Sequence, residues 1–264
     1  MGRRYKRCGM ARCYYLGGVL GIVTFFLCLF FLHAPAHEAH RLVGGTFSWN
    51  AVGRVVGNKD LWFAGLSFFG VYGGGIVTAQ LLATYLLQTY HMSLGLASFY
   101  AGLFSLMSIP GAVIGGYLAD RSQNYRAVFV IPWLLVGISL DLFPFTGLVG
   151  LWVLVLVAGA GVQFGFSVWS ALPGLYRDRL NPEDIATAEG LMLTAGGIGG
   201  VIIPVIFGVI QTGSGFSSAF LFGGIARLVF ALLGFAAREP KHVTGGISEA
   251  EAVQHEMLPE MHSF

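Results

Sequence analysis

Gly115-Gly116-Tyr117-Leu118-Ala119-Asp120-Arg121-Ser122-Gln123-Asn124-Tyr125-Arg126 is the stretch whose reading decides the fold. Before it, from Leu61 to Ala119, the chain holds no Asp, Glu, Lys or Arg. An Asp-Arg pair then appears, a second arginine follows five residues later, and a new apolar run starts at Ala127. Two apolar runs joined by so short a charged link read as two membrane helices meeting in a tight turn at the water boundary. Small residues let the first helix end pack closely. Asp120 can sit against the positive N-terminus of a neighbouring helix, while the arginines stay on the aqueous side.

Working outward, the bulk numbers agree. The chain has 264 residues, of which 55% are hydrophobic and 11% charged, and its mean hydropathy is positive. These values describe an integral membrane protein of the all-α class. A net charge of +2 is too small to imply a nucleic-acid partner. Three cysteines (Cys8, Cys13, Cys28) form no disulfide framework and no zinc spacing. His33, His37 and His40 with Glu38 have helical metal-ligand spacing, but nothing converges on them, and a solvated linker is the simpler reading. Neither a metal nor a cofactor is expected.

Seven apolar spans are expected: 14–32, 61–87, 95–119, 127–145, 148–172, 190–212 and 217–236. The organisation that follows is a basic segment 1–13, a first membrane helix 14–33, a linker 34–60, a six-helix unit 61–237 and a polar tail 238–264. Placing the 120–126 turn in the cytoplasm puts Arg41, Arg54, Lys59, Arg121, Arg126, Arg177, Arg179, Arg238 and Lys241 inside and no Lys or Arg in the outer loops. The N-terminal cluster dissents, because an odd number of spans puts it outside. That cluster, the apolar run and Ala34-Pro35-Ala36 also fit a secretory signal or anchor, although cleavage would move the nine loop and tail basic residues to the wrong face.

The turn resembles the signature loop of the major facilitator superfamily of transporters, G-x-x-x-D-R/K-x-G-x-R/K-R/K. Gly116, Asp120, Arg121 and Arg126 match, while Gln123 stands at the second glycine and Tyr125 at the first basic position. Ala171-Leu172-Pro173-Gly174-Leu175 through Asn181-Pro182 to Ala188-Glu189-Gly190 is similar to the family's tenth-to-eleventh helix connection. Gly196-Gly197-Ile198-Gly199-Gly200 through Pro204 and Gly208 to Thr212-Gly213 resembles its eleventh helix, and Tyr15 to Gly21 its sixth. The resemblance implies the C-terminal half of such a transporter, with the first five helices missing, hence a truncated or split form. Expected partners are the bilayer, a small-molecule solute with or without a coupling ion or proton, and either a separate N-terminal half or a second copy of this chain. The cell membrane is the expected location.

The resemblance also implies that the spans at 61, 95, 148 and 190 line a central cavity. Tyr72 and Gln80, beside Gly73-Gly74-Gly75, are therefore cavity candidates, as are Gln163 and Ser167, with Ser170 on the same face. The plainer reading of all of these is hydrogen bonding between helices. Arg227 is a charge in mid-span and marks a candidate site by its cost alone. Asp141, near the outer end of its span, reads as an interface residue, and Glu189 as stabilising a helix start. Glycines four apart (70/74, 111/115, 161/165, 196/200) predict close helix contacts.

Rival classes fare worse. A retinal-binding receptor needs a lysine in its last helix, and the lysines here are Lys6, Lys59 and Lys241. A membrane enzyme needs a nucleophile or metal cluster at the boundary, where only Asp120 and Asp178 stand. The substrate is not legible. Nitrate is disfavoured because its carriers, in this family, use a cavity arginine in the helix matching 95–119, a span that has none.

Overall fold

In hydrocarbon every backbone N–H and C=O must pair inside its own segment, so apolar runs of this length become helices. The computed structural model describes residues 15, 18–19, 21–30, 49–122, 124–176, 180–181 and 184–240. All regular structure among them is helical. The basic segment, the His33/His37/His40 set, Arg41, Arg177, Asp178, Arg179, Gln123 and the tail from 241 lie outside the described residues.

The chain divides into two units, 1–47 and 48–264. In the first, α1 (Gly21–Phe30) is apolar and exposed along its whole length, Cys28 included. The second opens with α2 (Trp49–Val56), then α3 (Lys59–Thr89), α4 (Leu94–Leu106), α5 (Ser108–Ser122) and α6 (Tyr125–Leu142). It closes with α7 (Leu148–Trp169), the single turn α8 (Leu172–Leu175) and α9 (Ile185–Leu233). Five helical stretches, 59–89, 94–122, 125–145, 148–175 and 185–236, are long and apolar enough to cross a bilayer.

Helix ends follow from local chemistry. Asn58, Ser93 and Asn124 accept from the backbone N–H groups of Asp60, Leu96 and Ala127, supplying partners that the first turn lacks. Pro110 has no N–H to give Leu106, and the 94–122 stretch breaks at Met107 accordingly. The linker holds a regular helix, α2, rather than loop alone. The helix expected from 190 starts at Ile185, with Asp184 at its cap, so Glu189 lies a full turn inside it.

A straight α9 of 49 residues would be about 73 Å long, more than twice the hydrocarbon thickness. It does not run straight. Gly215 has φ +83° and ψ 174°, a conformation open to glycine and strained for other residues. Phe207 and Phe220 then face one another at 5.2 Å, although 13 helical residues would separate them by about 20 Å. On α3, Gly73 abuts Gly199 and Ile203 while Gly74 abuts Arg227. Residues 185–214 and 216–233 are thus two arms folded side by side against α3, giving six crossings in this unit.

The arms of α9 pack mainly on α3, α5 on α7, and α6 on both α7 and the second arm. Glycine permits the closest of these contacts. A Cβ at Gly111 or Gly115 would collide with the Ala160 or Phe164 carbonyl, and one at Gly199 with the Phe69 carbonyl. Aromatic rings fill the wider gaps. Phe68 leans against Trp169 at 4.3 Å and stacks on Trp133 at 5.8 Å, and Trp169 Nε1 donates to Ala64 O at 2.7 Å, tying α7 to α3.

Candidate functional site

At the charged end of the bundle, the turn between α5 and α6 is only 122–125 long, and Asn124 caps α6 within it. Arg126 is fully engaged. Its Nε donates to Glu239 at 2.7 Å, and its Nη1 donates to the Phe235 and Ala237 carbonyls at 3.1 and 3.0 Å. A cation on the last carbonyls of a helix is favourable on both hydrogen-bonding and dipole grounds. It staples the turn to the exit of the second α9 arm. Arg121 is exposed and donates to Tyr117 Oη at 3.3 Å. Gly116 is half-buried, and a Cβ there would meet nothing within 4 Å. Asp120 is exposed and has no hydrogen-bonding or ionic partner among the described residues. Of the matched loop residues, Arg126 is thus committed to structure.

A second ionic contact at this end escaped sequence reading. Arg54 of α2 grips Asp184 at the start of α9 with two bonds of 2.9 and 2.7 Å. The guanidinium holds the Asp184 carboxyl below its ordinary range, against the opposing effect of burial. Close by in sequence, Arg238 N–H donates to Asp60 Oδ1 at 3.2 Å and Tyr176 Oη donates to Arg238 O at 2.7 Å. These bonds join the entry of α3, the loop after α8 and the exit of α9. The sequence signal was the Asp before an apolar run; its partner 130 residues away was invisible.

The cavity candidates separate into two kinds. Tyr72 and Gln80 are exposed on α3, Tyr72 leaning over Gly200 of the first α9 arm. Gln163 is half-buried on α7. Ser167 donates to its own helix at Phe164 O (2.9 Å) and faces Gly115, which places it in the α5–α7 contact. A groove of about 630 Å³ lies elsewhere, between α5, α6 and α7, walled by Leu118, Ile131, Pro132, Leu135, Val157 and Phe164. None of the four candidates lines it.

Arg227 is fully buried in the second α9 arm. Its Nη2 donates to Val71 O at 2.9 Å, while Nε and Nη1 have no partner among the described residues. Asp141, one residue from the end of α6, is half-buried; its Oδ1 is buried against Gly224 and has no side-chain partner among the described residues.

A bundle of helices long and apolar enough to cross a membrane, with only helices as regular structure among the described residues and joined by a charged turn, defines an integral, multi-pass membrane protein. The family model of the Major Facilitator Superfamily matches residues 9–204 and, in a second alignment, 81–259, and the chain belongs to that superfamily. It is 31% identical over 160 residues to the probable galactarate/D-glucarate transporter GudP of Bacillus subtilis (strain 168), covering 57% of this chain and 34% of that protein. It is 26% identical over 196 residues to the nitrite extrusion protein of the same organism, covering 74% and 47%. Multidrug resistance protein 3, also from that strain, is 25% identical over 229 residues, covering 74% and 43%. The chain thus spans between a third and a half of the curated relatives it matches. A crystal structure of the peptide transporter POT (E310Q mutant) in complex with alafosfalin shares the fold, with a TM-score of 0.60, 16% identity, and coverage of 78% of this chain and 46% of that one.

Proposed function

We propose that the 61–237 unit is the C-terminal half of a secondary transporter that moves a small solute across the cell membrane by alternating access. It works against a second six-helix bundle, supplied by an N-terminal half or by a second copy of the chain, and performs no enzymatic chemistry. Gln80 carries this reading: an amide exposed at mid-helix has no place against lipid but suits the wall of a watered cavity. The lower burial of 94–122, 148–175 and 185–236, compared with 59–89 and 125–145, supports a further partner surface on those helices. Asp120 supports it as well, since an exposed carboxylate at the charged end, without a partner among the described residues, can latch onto a helix N-terminus in the opposite bundle. On this reading that end is cytoplasmic.

The relatives include a transporter for sugar diacids and one for nitrite, so small anions are the solute class to test first. Uptake of a galactarate, nitrite and dipeptide panel into vesicles bearing the chain together with the second bundle it works against, compared with the Gln80→Leu variant of the same pair, tests the proposal. Accumulation of one solute, lost in the variant, is expected. Equal accumulation in both would remove Gln80 from the site.

A further inference from the structure

The groove between α5, α6 and α7 is built from one face of each helix. Val157, Ala160, Gly161 and Phe164 of α7 follow the i, i+3, i+4, i+7 spacing, and α6 repeats it from Asn124 to Leu135. Leu118 and Ser122 of α5 stand four apart on the facing wall. Gly111 and Gly115 seat α5 on the Ala160 and Phe164 carbonyls, and Gly161 makes room for Val136 of α6. Because Ala160 and Gly161 carry nothing larger than a methyl, the groove between the two walls stays deep. Leu118, Ile131 and Leu135 along it are 41, 49 and 50% exposed, so it is open along its side.

Its dimensions select the occupant. From Asn124 to Leu135 it runs about 16 Å along α6, close to half the hydrocarbon thickness and so the depth of one leaflet. A volume of about 630 Å³ over that length leaves a channel roughly 7 Å wide, whereas a helix with its side chains is about 10–12 Å across. The groove is too narrow for a helix of a second bundle and suits a flexible hydrocarbon chain. Its polar lining lies at one end only, in Ser122 and Asn124 beside the charged turn. Ser122 Oγ accepts from the Asn124 N–H at 3.4 Å and Asn124 Oδ1 from the Ala127 N–H at 3.2 Å, which leaves the hydroxyl and amide hydrogens as donors. Arg121 follows Leu118 by three residues and shares its side of α5. Its Nη1 donates to Tyr117 Oη, and its other nitrogens have no partner among the described residues. Asp120 falls on the opposite side of the helix, and Arg126 is already neutralised by Glu239. The net charge presented at the polar end of the groove is therefore positive.

We propose that this groove is a binding site for one anionic membrane phospholipid, its acyl chain lying along Ile131, Leu135 and Val157 and its phosphate held by Arg121, Ser122 and Asn124. A cation between membrane helices at the water boundary attracts such headgroups, and the apolar groove below it fixes the chain. The site stands independently of the transported solute and of the second bundle.

The test is native mass spectrometry of the full chain, delipidated in detergent and given equimolar palmitoyl-oleoyl phosphatidylglycerol and phosphatidylcholine. Retention of one phosphatidylglycerol, favoured about fivefold over phosphatidylcholine, is expected. Val157→Trp fills the groove and should lower that retention several-fold. Val229→Trp, a control at a 55% exposed position outside the groove, should retain lipid as the wild type does. Arg121→Gln should still hold a lipid but lose the preference between headgroups. Undiminished retention in Val157→Trp would overturn the site, and an undiminished preference in Arg121→Gln would overturn the headgroup assignment. A dimer that Val157→Trp dissociates, with no lipid retained by the wild type, would give the groove to a second copy and also overturn the proposal. Should Val157→Trp fail to give monodisperse protein, Leu135→Trp replaces it, and Arg121→Gln, at an exposed position, decides the matter if both fail.

Discussion

Arg54→Gln perturbs the tie between α2 and the start of α9. The substitution removes two bonds of 2.9 and 2.7 Å to a carboxylate whose side chain is 2% exposed, while Arg54 itself is 48% exposed. Breaking a fully buried ion pair costs about 3–5 kcal/mol. Solvent at the half-exposed arginine reduces this to roughly 1.5–3 kcal/mol. For a unit of this size, that corresponds to a drop of about 5–10 °C in the melting midpoint. The pH dependence supplies an internal control. Because Arg54 holds the Asp184 carboxyl below its ordinary 3.8, the stabilisation is complete above that value and is lost as pH falls through the depressed one. The gap between wild type and Arg54→Gln should therefore be full at pH 7 and narrow on acidification toward pH 3. Melting followed by tryptophan fluorescence across that range measures it. A gap under 1 °C, or one constant with pH, would refute the reasoning.

Other substitutions test the rest of the bundle. Gly111→Ala drives a methyl into the Ala160 carbonyl and should abolish monodisperse protein on size exclusion, whereas Gly102→Ala, with nothing within 4 Å, should gain about 0.5–1 kcal/mol in stability. Gly215→Ala meets no neighbour but inherits φ +83°, so a loss of about 1–2 kcal/mol, read from the melting midpoint, is expected from conformation alone. Asp120→Asn should leave expression and melting unchanged. It should also slow uptake several-fold by removing an interaction of about 0.3–1 kcal/mol, up to ~2 when partly buried. Unaltered uptake would reduce the loop to a tight turn.

What could be read from the chain was what local chemistry determines. The 122–125 turn was visible as a charge-free run meeting Asp120-Arg121, and the reversal at Gly215 fell in the break expected at 213–216. Glycine pairs signalled close helix contacts because small side chains have few other uses in lipid. Pairing across the bundle could not be read. Arg126 and Glu239 are 113 residues apart, as Arg54 and Asp184 are 130, and neither pair has a sequence period to betray it. Ser167 looked like Gln163 in the sequence because spacing gives a face and not what the face meets. In the structure that serine bonds its own helix and lies against Gly115. The seat of Asp141 was invisible for the same reason: only Gly224, an absent side chain on another helix, makes room for its carboxylate.

The central claim is that the exposed polar face of α3 lines a watered cavity shared with a second bundle. Thiol labelling of Gln80→Cys in native membranes, with Cys8, Cys13 and Cys28 replaced, tests it most directly. The account predicts modification by a membrane-impermeant maleimide, slowed by the transported solute. Reaction with a lipid-soluble maleimide alone, indifferent to any solute, would place Gln80 against lipid and contradict the account.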